Sequence, residues 1–255
     1  MKAMILAAGL GTRLRPLTDS RPKALVEVAG RTLLEITLTR LQSFGVTEVI
    51  VNVHHFAGMI ADYLKSHNNF GMRIEISRED DLLLDTGGGL KKAAWFFLED
   101  ARHSPLGTRH SLTEPFFLHN VDVISNLDFA RMLQFHKEHR ALATLAVKSR
   151  ESSRLLLFND QLQLCGRRIS GHDAIVSPLA TRHSPLAFSG IHVISPRLLP
   201  MLTETGVFSI IDAYLRLAAQ GEKILAFRAD EYYWRDLGRP SDLSQAALDM
   251  QQKVF

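Results

Sequence analysis

Apolar residues fall in short continuous runs, with stretches of helical periodicity between them. The runs at 3–8, 48–54, 73–77, 115–120 and 141–148 carry few polar positions, the pattern of parallel strands covered on both faces. Between them Leu34, Leu38 and Leu41 share one helical face, and Gly45 stops that helix. Ile60 and Leu64 lie on a second helix, and Leu90, Ala94 and Phe97 on a third. Strands alternating with helices predict an α/β fold: three layers, doubly wound around a mostly parallel mixed sheet, in the Rossmann-like manner. In such folds the ligand crevice lies beyond the C-terminal ends of the strands. Gly9, Asn52 and Asp122 fall at such ends.

The pattern changes after about residue 149. Runs at 155–158 and 163–167 flank Asn159-Asp160-Gln161 and read as a hairpin. A strand at 187–194, helical patterns at 196–204 and 210–220, a strand at 223–229 and a last helix from about 241 follow. No low-complexity linker separates this part, so it reads as a subdomain continuing the same sheet. The polar segment 101–114, with Pro105 and Gly107, reads as a surface loop, with a lid as the alternative.

Composition narrows the function classes. Hydrophobic residues make up 46% of 255, ample for a core. No apolar run reaches the roughly 18–20 residues of a membrane span, and the chain opens directly on a strand, so neither a signal peptide nor a membrane partner is expected. The single cysteine, Cys165, fits a reducing cytoplasm and reads as a packing residue. A net charge of +3 without a basic stripe argues against nucleic acid.

The chemistry concentrates in Leu6-Ala7-Ala8-Gly9-Leu10-Gly11-Thr12-Arg13-Leu14-Arg15-Pro16, followed by Pro22-Lys23. A turn with Gly9 and Gly11 brings bare backbone N–H groups close to a ligand, and successive N–H groups form a concave anion site. Arg13, Arg15 and Lys23 add positive charge to it, the combination a triphosphate needs; Arg15 reads equally as a structural or solvated arginine. A Rossmann fingerprint would need glycine at position 14, which is Leu14, and no Walker A sequence is present. Asp122 ends an apolar strand, and Asp236 sits in a Trp-x-Asp-x-Gly turn after a strand. Two such carboxylates suit Mg²⁺, which takes one or two from protein and completes its octahedron with phosphate and water. The adjacent His54 and His55 point to opposite faces of a strand, and no zinc pattern accompanies the 11 histidines.

The phosphate-loop string, with Asp85-Thr86-Gly87-Gly88-Gly89, Asn120-Val121-Asp122-Val123, Phe188-Ser189-Gly190-Ile191 and Trp234-Arg235-Asp236-Leu237-Gly238, resembles the sugar-1-phosphate nucleotidyltransferases, or nucleotide-diphospho-sugar pyrophosphorylases. These motifs stand in family order over nearly the whole chain. The resemblance implies one domain over 1–255, with a nucleotide-binding half at 1–149 and a sugar-binding half at 150–255. It implies a cytoplasmic enzyme whose partners are a nucleoside triphosphate and a sugar-1-phosphate, with pyrophosphate leaving. Length and the Thr-Gly-Gly-Gly variant look most like the N-acetylmuramate-1-phosphate uridylyltransferases of cell-wall recycling. Short mannose-1-phosphate guanylyltransferase-like proteins are also similar, leaving UTP and GTP both open.

Carried over by resemblance, Arg13 contacts the leaving pyrophosphate and Lys23 the phosphates near the reacting centre. Asp122 and Asp236 hold Mg²⁺. The implied nucleotide-binding set is Leu6, Ala7, Ala8, Gly9, Gly11, Thr12, Arg13, Lys23, Gly87, Gly88 and Asn120, and Gly89 completes the glycine run. Asp85 reads as a cap for the helix these glycines open. Toward the sugar stand Asn120, Gly190 and the stretch from Glu204 to Asp212. Arg154 reads either as a contact to sugar phosphate or a lactyl carboxylate, or as a surface arginine. Two departures stand out: Arg239 replaces the family threonine before Pro240, leaving Ser241 to cap the last helix, and Val121 replaces a glycine. A glycosyltransferase would want Asp-x-Asp where this chain has Asp122-Val123-Ile124. A non-catalytic nucleotide-binding regulator is the other alternative.

Overall fold

The computed structural model describes residues 1–98, 114–176 and 182–252. In chain order the elements are β1 (Lys2–Leu6), β2 (Glu27–Val28), β3 (Arg31–Thr32), α1 (Leu33–Ser43), β4 (Glu48–Val53), α2 (Ala57–Ser66) and β5 (Arg73–Arg78). Then come α3 (Asp85–Lys92), α4 (Ala94–Leu98), β6 (Phe116–Asn120), β7 (Val123–Ser125), α5 (Phe129–His139) and β8 (Ala143–Lys148). The remainder is β9 (Arg154–Phe158), β10 (Leu164–Ile169), β11 (His172–Ile175), β12 (Ser184–Ile194), α6 (Ile210–Ala219), β13 (Ile224–Arg228), β14 (Trp234–Asp236) and α7 (Pro240–Gln251).

The chain divides into two compact units. The first comprises Met1–Leu84, Leu118–Leu127 and Tyr232–Phe255. Its strand order is β6, β1, β4, β5, with β1–β4 and β4–β5 both parallel. Ala3, Met4 and Ile5 of β1 and Val49, Ile50 and Val51 of β4 are fully buried, as their unbroken apolar runs predict. α1 is capped by Thr32, whose hydroxyl accepts the Glu35 N–H at 3.1 Å. Its buried face is Leu34, Leu38 and Leu41, and Gly45 follows at φ +79°, so the helix stops where the glycine stands. Two small ladders complete this unit, β2–β3 and β7–β14, both antiparallel.

The second unit comprises Asp85–Phe117 and Asp128–Glu231. Here β9, β10, β11, β12 and β8 pair antiparallel, while β13 pairs parallel with β8. The predicted hairpin is present as β9–β10, and α6 packs against β10 and α3. Asp128 caps α5 through the Arg131 N–H at 3.0 Å, and Ser209 caps α6. Cys165 is buried, and its thiol lies 3.2 Å from the Leu157 carbonyl, the packing role expected of it.

Several local expectations are corrected. The helical pattern at 196–204 is a 3₁₀ turn, Pro196–Met201, because Pro200 removes a donor inside it. β4 ends at Val53, so His54 and His55 lie beyond the strand; His54 Nδ1 is held 2.5 Å from the Glu79 carbonyl. Ser241 does not cap α7: the helix starts at Pro240, and Arg239 takes the cap position without a side-chain bond. Of segment 101–114, all but Glu114 lies outside the described residues.

Candidate functional site

β1 carries the chain to Leu6, and the turn beyond it is built by named bonds. The Ala7 N–H donates to Asn52 Oδ1 at 2.7 Å, and Leu6 O accepts the Val121 N–H at 3.1 Å. Val121 is itself buried. Ala7 and Ala8 are buried, whereas Gly9 is exposed, with open space where a Cβ would stand. Gly11 sits at φ +65°, and a Cβ there would lie 2.9 Å from the Thr18 methyl and 3.1 Å from Lys23 Cβ. Both conformation and space therefore demand glycine at position 11. The Thr18 hydroxyl closes the loop on the Gly11 carbonyl at 2.9 Å. Thr12 and Arg13 stand exposed in the 3₁₀ turn Thr12–Leu14, anchored by the buried Leu14.

Four charged side chains gather in the first unit. Lys23 is buried, and its ammonium hydrogen-bonds the Asp122 carboxylate. Asp122 follows β6 in a turn, and Asp236 ends β14. The ladder between β7 and β14 puts Asp236 opposite Val123, and the Leu237 N–H donates to the Asp122 carbonyl at 2.7 Å. Asp236 is thus the last residue of a short strand, rather than part of a turn after one, which corrects the sequence reading. Arg13 lies 3.9 Å from Asp236. Burial, and then the neighbouring Asp122 charge, push the Asp236 carboxyl above its ordinary range, against the pull of Lys23, Arg13 and the Gly238 backbone. A carboxyl raised by burial and a like charge gains from a cation placed beside the pair.

Gly238 is a residue that sequence reasoning passed over. A Cβ there would meet Arg13 Nη2 and Asp236 Oδ1, both at 2.5 Å. Its signal was present in the Trp-x-Asp-x-Gly string, whose glycine leaves room for both side chains. Glu79 was also missed. It is 1% exposed, and each of its oxygens accepts a hydrogen bond, from Asn52 Nδ2 at 2.7 Å and from the Leu84 N–H at 2.8 Å. The Oδ1 atom of Asn120 is buried without a hydrogen-bond partner. Arg15 pairs with Asp19 at 3.2 Å on the surface, and Arg239 is exposed.

Gly87, Gly88, Gly89, Arg154, Gly190, Glu204 and Asp212 belong to the second unit. The N–H groups of Gly87 and Gly88 donate to the Phe208 carbonyl at 2.9 and 3.3 Å. A Cβ on Gly87 would stand 2.4 Å from the Phe208 ring, so this glycine has a packing reason within the fold. Asp85, at φ +59°, caps only the adjacent Thr86 N–H, at 2.6 Å. Gly190 has φ +75° where the β12–β8 register shifts between Phe188 and His192, a bulge that favours glycine. Glu204 is committed to a forked pair with Arg216, at 2.7 and 2.9 Å, and Asp212 to Arg167 at 2.7 Å. Arg154 is exposed, and its N–H bonds the Ser152 hydroxyl.

A separate cavity of about 260 Å³ in the first unit is lined by Arg31, Thr37, Arg40, His119, Ser125 and Met250, among others. Several of its polar groups bond within the fold: Arg31 to Glu35 and Thr39, Arg40 to the Leu127 carbonyl, Thr37 to the Leu33 carbonyl. Burial pushes the His119 imidazole down to about 4.

The structure thus sets a glycine turn at the end of a buried parallel strand beside a lysine, an arginine and two adjacent carboxylates. Residues 2–155, more than half of the chain, match the family model described as "Nucleotidyl transferase", and the chain belongs to that family. It is a nucleotidyltransferase. An N-acetylmuramate alpha-1-phosphate uridylyltransferase of Caulobacter vibrioides is 34% identical over 246 residues, covering 93% of this chain and 92% of that protein. A mannose-1-phosphate guanyltransferase beta-B of Xenopus laevis is 31% identical over 95% of this chain, which spans 62% of that relative's length. A solved UDP-glucose pyrophosphorylase complexed with UDP-glucose shares the fold at a TM-score of 0.75 and 18% identity, covering 99% of this chain and 98% of that one. Among the described residues, no helix is long and apolar enough to cross a membrane.

Proposed function

We propose that this chain joins a nucleoside triphosphate to a sugar-1-phosphate, releasing pyrophosphate, and that its substrates are UTP and N-acetylmuramate-1-phosphate. A phosphate oxygen of the sugar attacks the α-phosphorus, the bond from that phosphorus to the bridging oxygen breaks, and pyrophosphate leaves. The observation that carries this reading is the set of Lys23, Asp122, Asp236 and Arg13 beside the Gly9–Gly11 turn. The uridylyl substrate follows the relative that this chain matches over 92% of its length. A guanylyl reading with mannose-1-phosphate is the second, supported by the Xenopus relative. A cytoplasmic enzyme of cell-wall sugar recycling fits the single cysteine and the muramate relative.

The donor set suits Mg²⁺. No cluster of three or more His, Cys, Asp or Glu occurs among the described residues, whereas two adjacent carboxylates with phosphate and water as the other ligands are what Mg²⁺ usually takes. Asp122 and Asp236 would hold the ion, which when bound supplies charge neutralisation at the phosphates. The chain's own groups do the rest. Backbone N–H groups of the Gly9–Gly11 turn cradle the triphosphate. The Arg13 fork binds the departing pyrophosphate and offsets its growing charge. Lys23, now on Asp122, stands ready to contact phosphate oxygen near the reacting centre. The buried Asn120 Oδ1 offers a hydrogen-bond acceptor to a bound substrate hydroxyl or base N–H. Phosphoryl-type transfers require mainly such positioning and charge neutralisation.

A substrate panel tests this reading. Pyrophosphate release is measured with UTP, GTP, CTP and dTTP against N-acetylmuramate-, mannose- and glucose-1-phosphate. The expected result is release with UTP and the muramate sugar. Release only with GTP and mannose-1-phosphate would favour the second reading.

A further inference from the structure

We propose that Glu79, acting through Asn52, is a positioning residue that holds the Ala7–Gly9 turn in its nucleotide-binding form. The proposal rests on the nucleotide role of that turn given above. Three parallel strand ends supply the parts. Asn52 near the end of β4 accepts the Ala7 N–H on Oδ1 and donates from Nδ2 to Glu79 Oε1, both at 2.7 Å. Glu79 Oε2 accepts the Leu84 N–H at 2.8 Å, one residue before the Asp85-Thr86-Gly87 segment. The Glu79 backbone is itself pinned, its N–H on the Val53 carbonyl at 2.8 Å and its carbonyl against His54 Nδ1.

Burial gives this chain of bonds its force. Asn52 is 3% exposed and Glu79 1%. A carboxyl group taken out of water is costly unless its oxygens are hydrogen-bonded, and here each oxygen has a donor. An amide presents oxygen on one side and N–H on the other, so Asn52 can offer its oxygen to Ala7 only if an acceptor stands behind its nitrogen. Glu79 is that acceptor. Without it the amide can turn over, and an N–H would then face the Ala7 N–H. The consequence falls on the turn that approaches the nucleotide.

The pattern can be rewritten without losing a bond. Glu79→Gln offers one oxygen and one N–H to two donors, so one N–H opposes another. Asn52→Asp sets a carboxylate against a carboxylate. Combined, Asp at 52 accepts from Ala7 and from the new amide, whose oxygen accepts from Leu84. All three bonds and one negative charge are restored.

The experiment measures UTP binding by calorimetry with Mg²⁺, and KM for the sugar-1-phosphate, in wild type, both single variants and the double variant. The expected single-variant result is a loss of UTP affinity of about tenfold, with the sugar-phosphate KM unchanged. The double variant is expected within about twofold of wild type. Glu79→Asp keeps both acceptors on a shorter arm, which secures a folded variant, and is expected to lose roughly threefold in UTP affinity. Unchanged UTP affinity in folded variants, with only the melting temperature lowered, would overturn the proposal, as would a double variant no better than the singles. Wild-type protein that binds no nucleoside triphosphate would instead overturn the reading of the turn, and the proposal with it.

Discussion

Gly238 leaves open a space that two charged groups need. Adding a methyl at that position forces Arg13 Nη2 and Asp236 Oδ1 from 2.5 Å contacts. Arg13 is the far end of a flexible, exposed side chain, so the fold gives way cheaply while the site does not. Gly238→Ala is therefore expected to keep its melting temperature within a few degrees and to lose roughly 10- to 100-fold in kcat/KM, read by pyrophosphate release. Lys23→Ala leaves Asp122 without its ammonium and removes a phosphate contact, with an expected loss of about 10²–10³-fold in kcat. The glycine turn, Arg13, Lys23, Asp122 and Asp236 were all legible as residue types in a string. That Lys23 and Asp122 would pair across 99 residues was not, because nothing local links them. Glu79 was invisible for the same reason: its partner Asn52 meets it only once β4 and β5 align.

At the scale of elements, long apolar runs and capped helices were readable, while two- and three-residue strands were not. β7 and β14 are too short to show a period of two, yet their ladder brings Asp236 beside Asp122. The three glycines of α3 show a related limit. Their spacing reads as room for a ligand, and at Gly87 the space is filled by the Phe208 ring of the chain itself. Gly87→Ala must push that ring or the Ile210 N–H, 2.9 Å away, and is expected to destabilise the protein by about 1–3 kcal/mol. A denaturant titration with unchanged midpoint would contradict this packing role. The start of α7 followed a general preference: Pro240 sits where a missing N–H costs nothing, so the helix opens there and not at Ser241.

Across the whole molecule, two of the buried imidazoles, His119 and His136, give stability a defined pH window. Burial pushes His119 and His136 down to about 4 from an ordinary 6.5. Their folded forms stay neutral where the unfolded chain takes up protons. The stabilisation is therefore fully present above 6.5 and is lost as pH falls from 6.5 toward 4, by up to about 2–3 kcal/mol for each imidazole. Guanidinium unfolding at pH 7, 5.5 and 4.5 is expected to show this fall, and His136→Asn to reduce it; equal stability at all three pH values would contradict it.

The α/β class was legible in the alternation of runs, and the family in five short motifs. The most direct test of the central claim is pyrophosphate release from UTP and N-acetylmuramate-1-phosphate with Mg²⁺, in wild type and Asp122→Ala. On that claim the wild type releases pyrophosphate and the variant loses at least about 10²-fold. Full release by Asp122→Ala, or none from wild type with any sugar-1-phosphate and nucleotide of the panel, would contradict it.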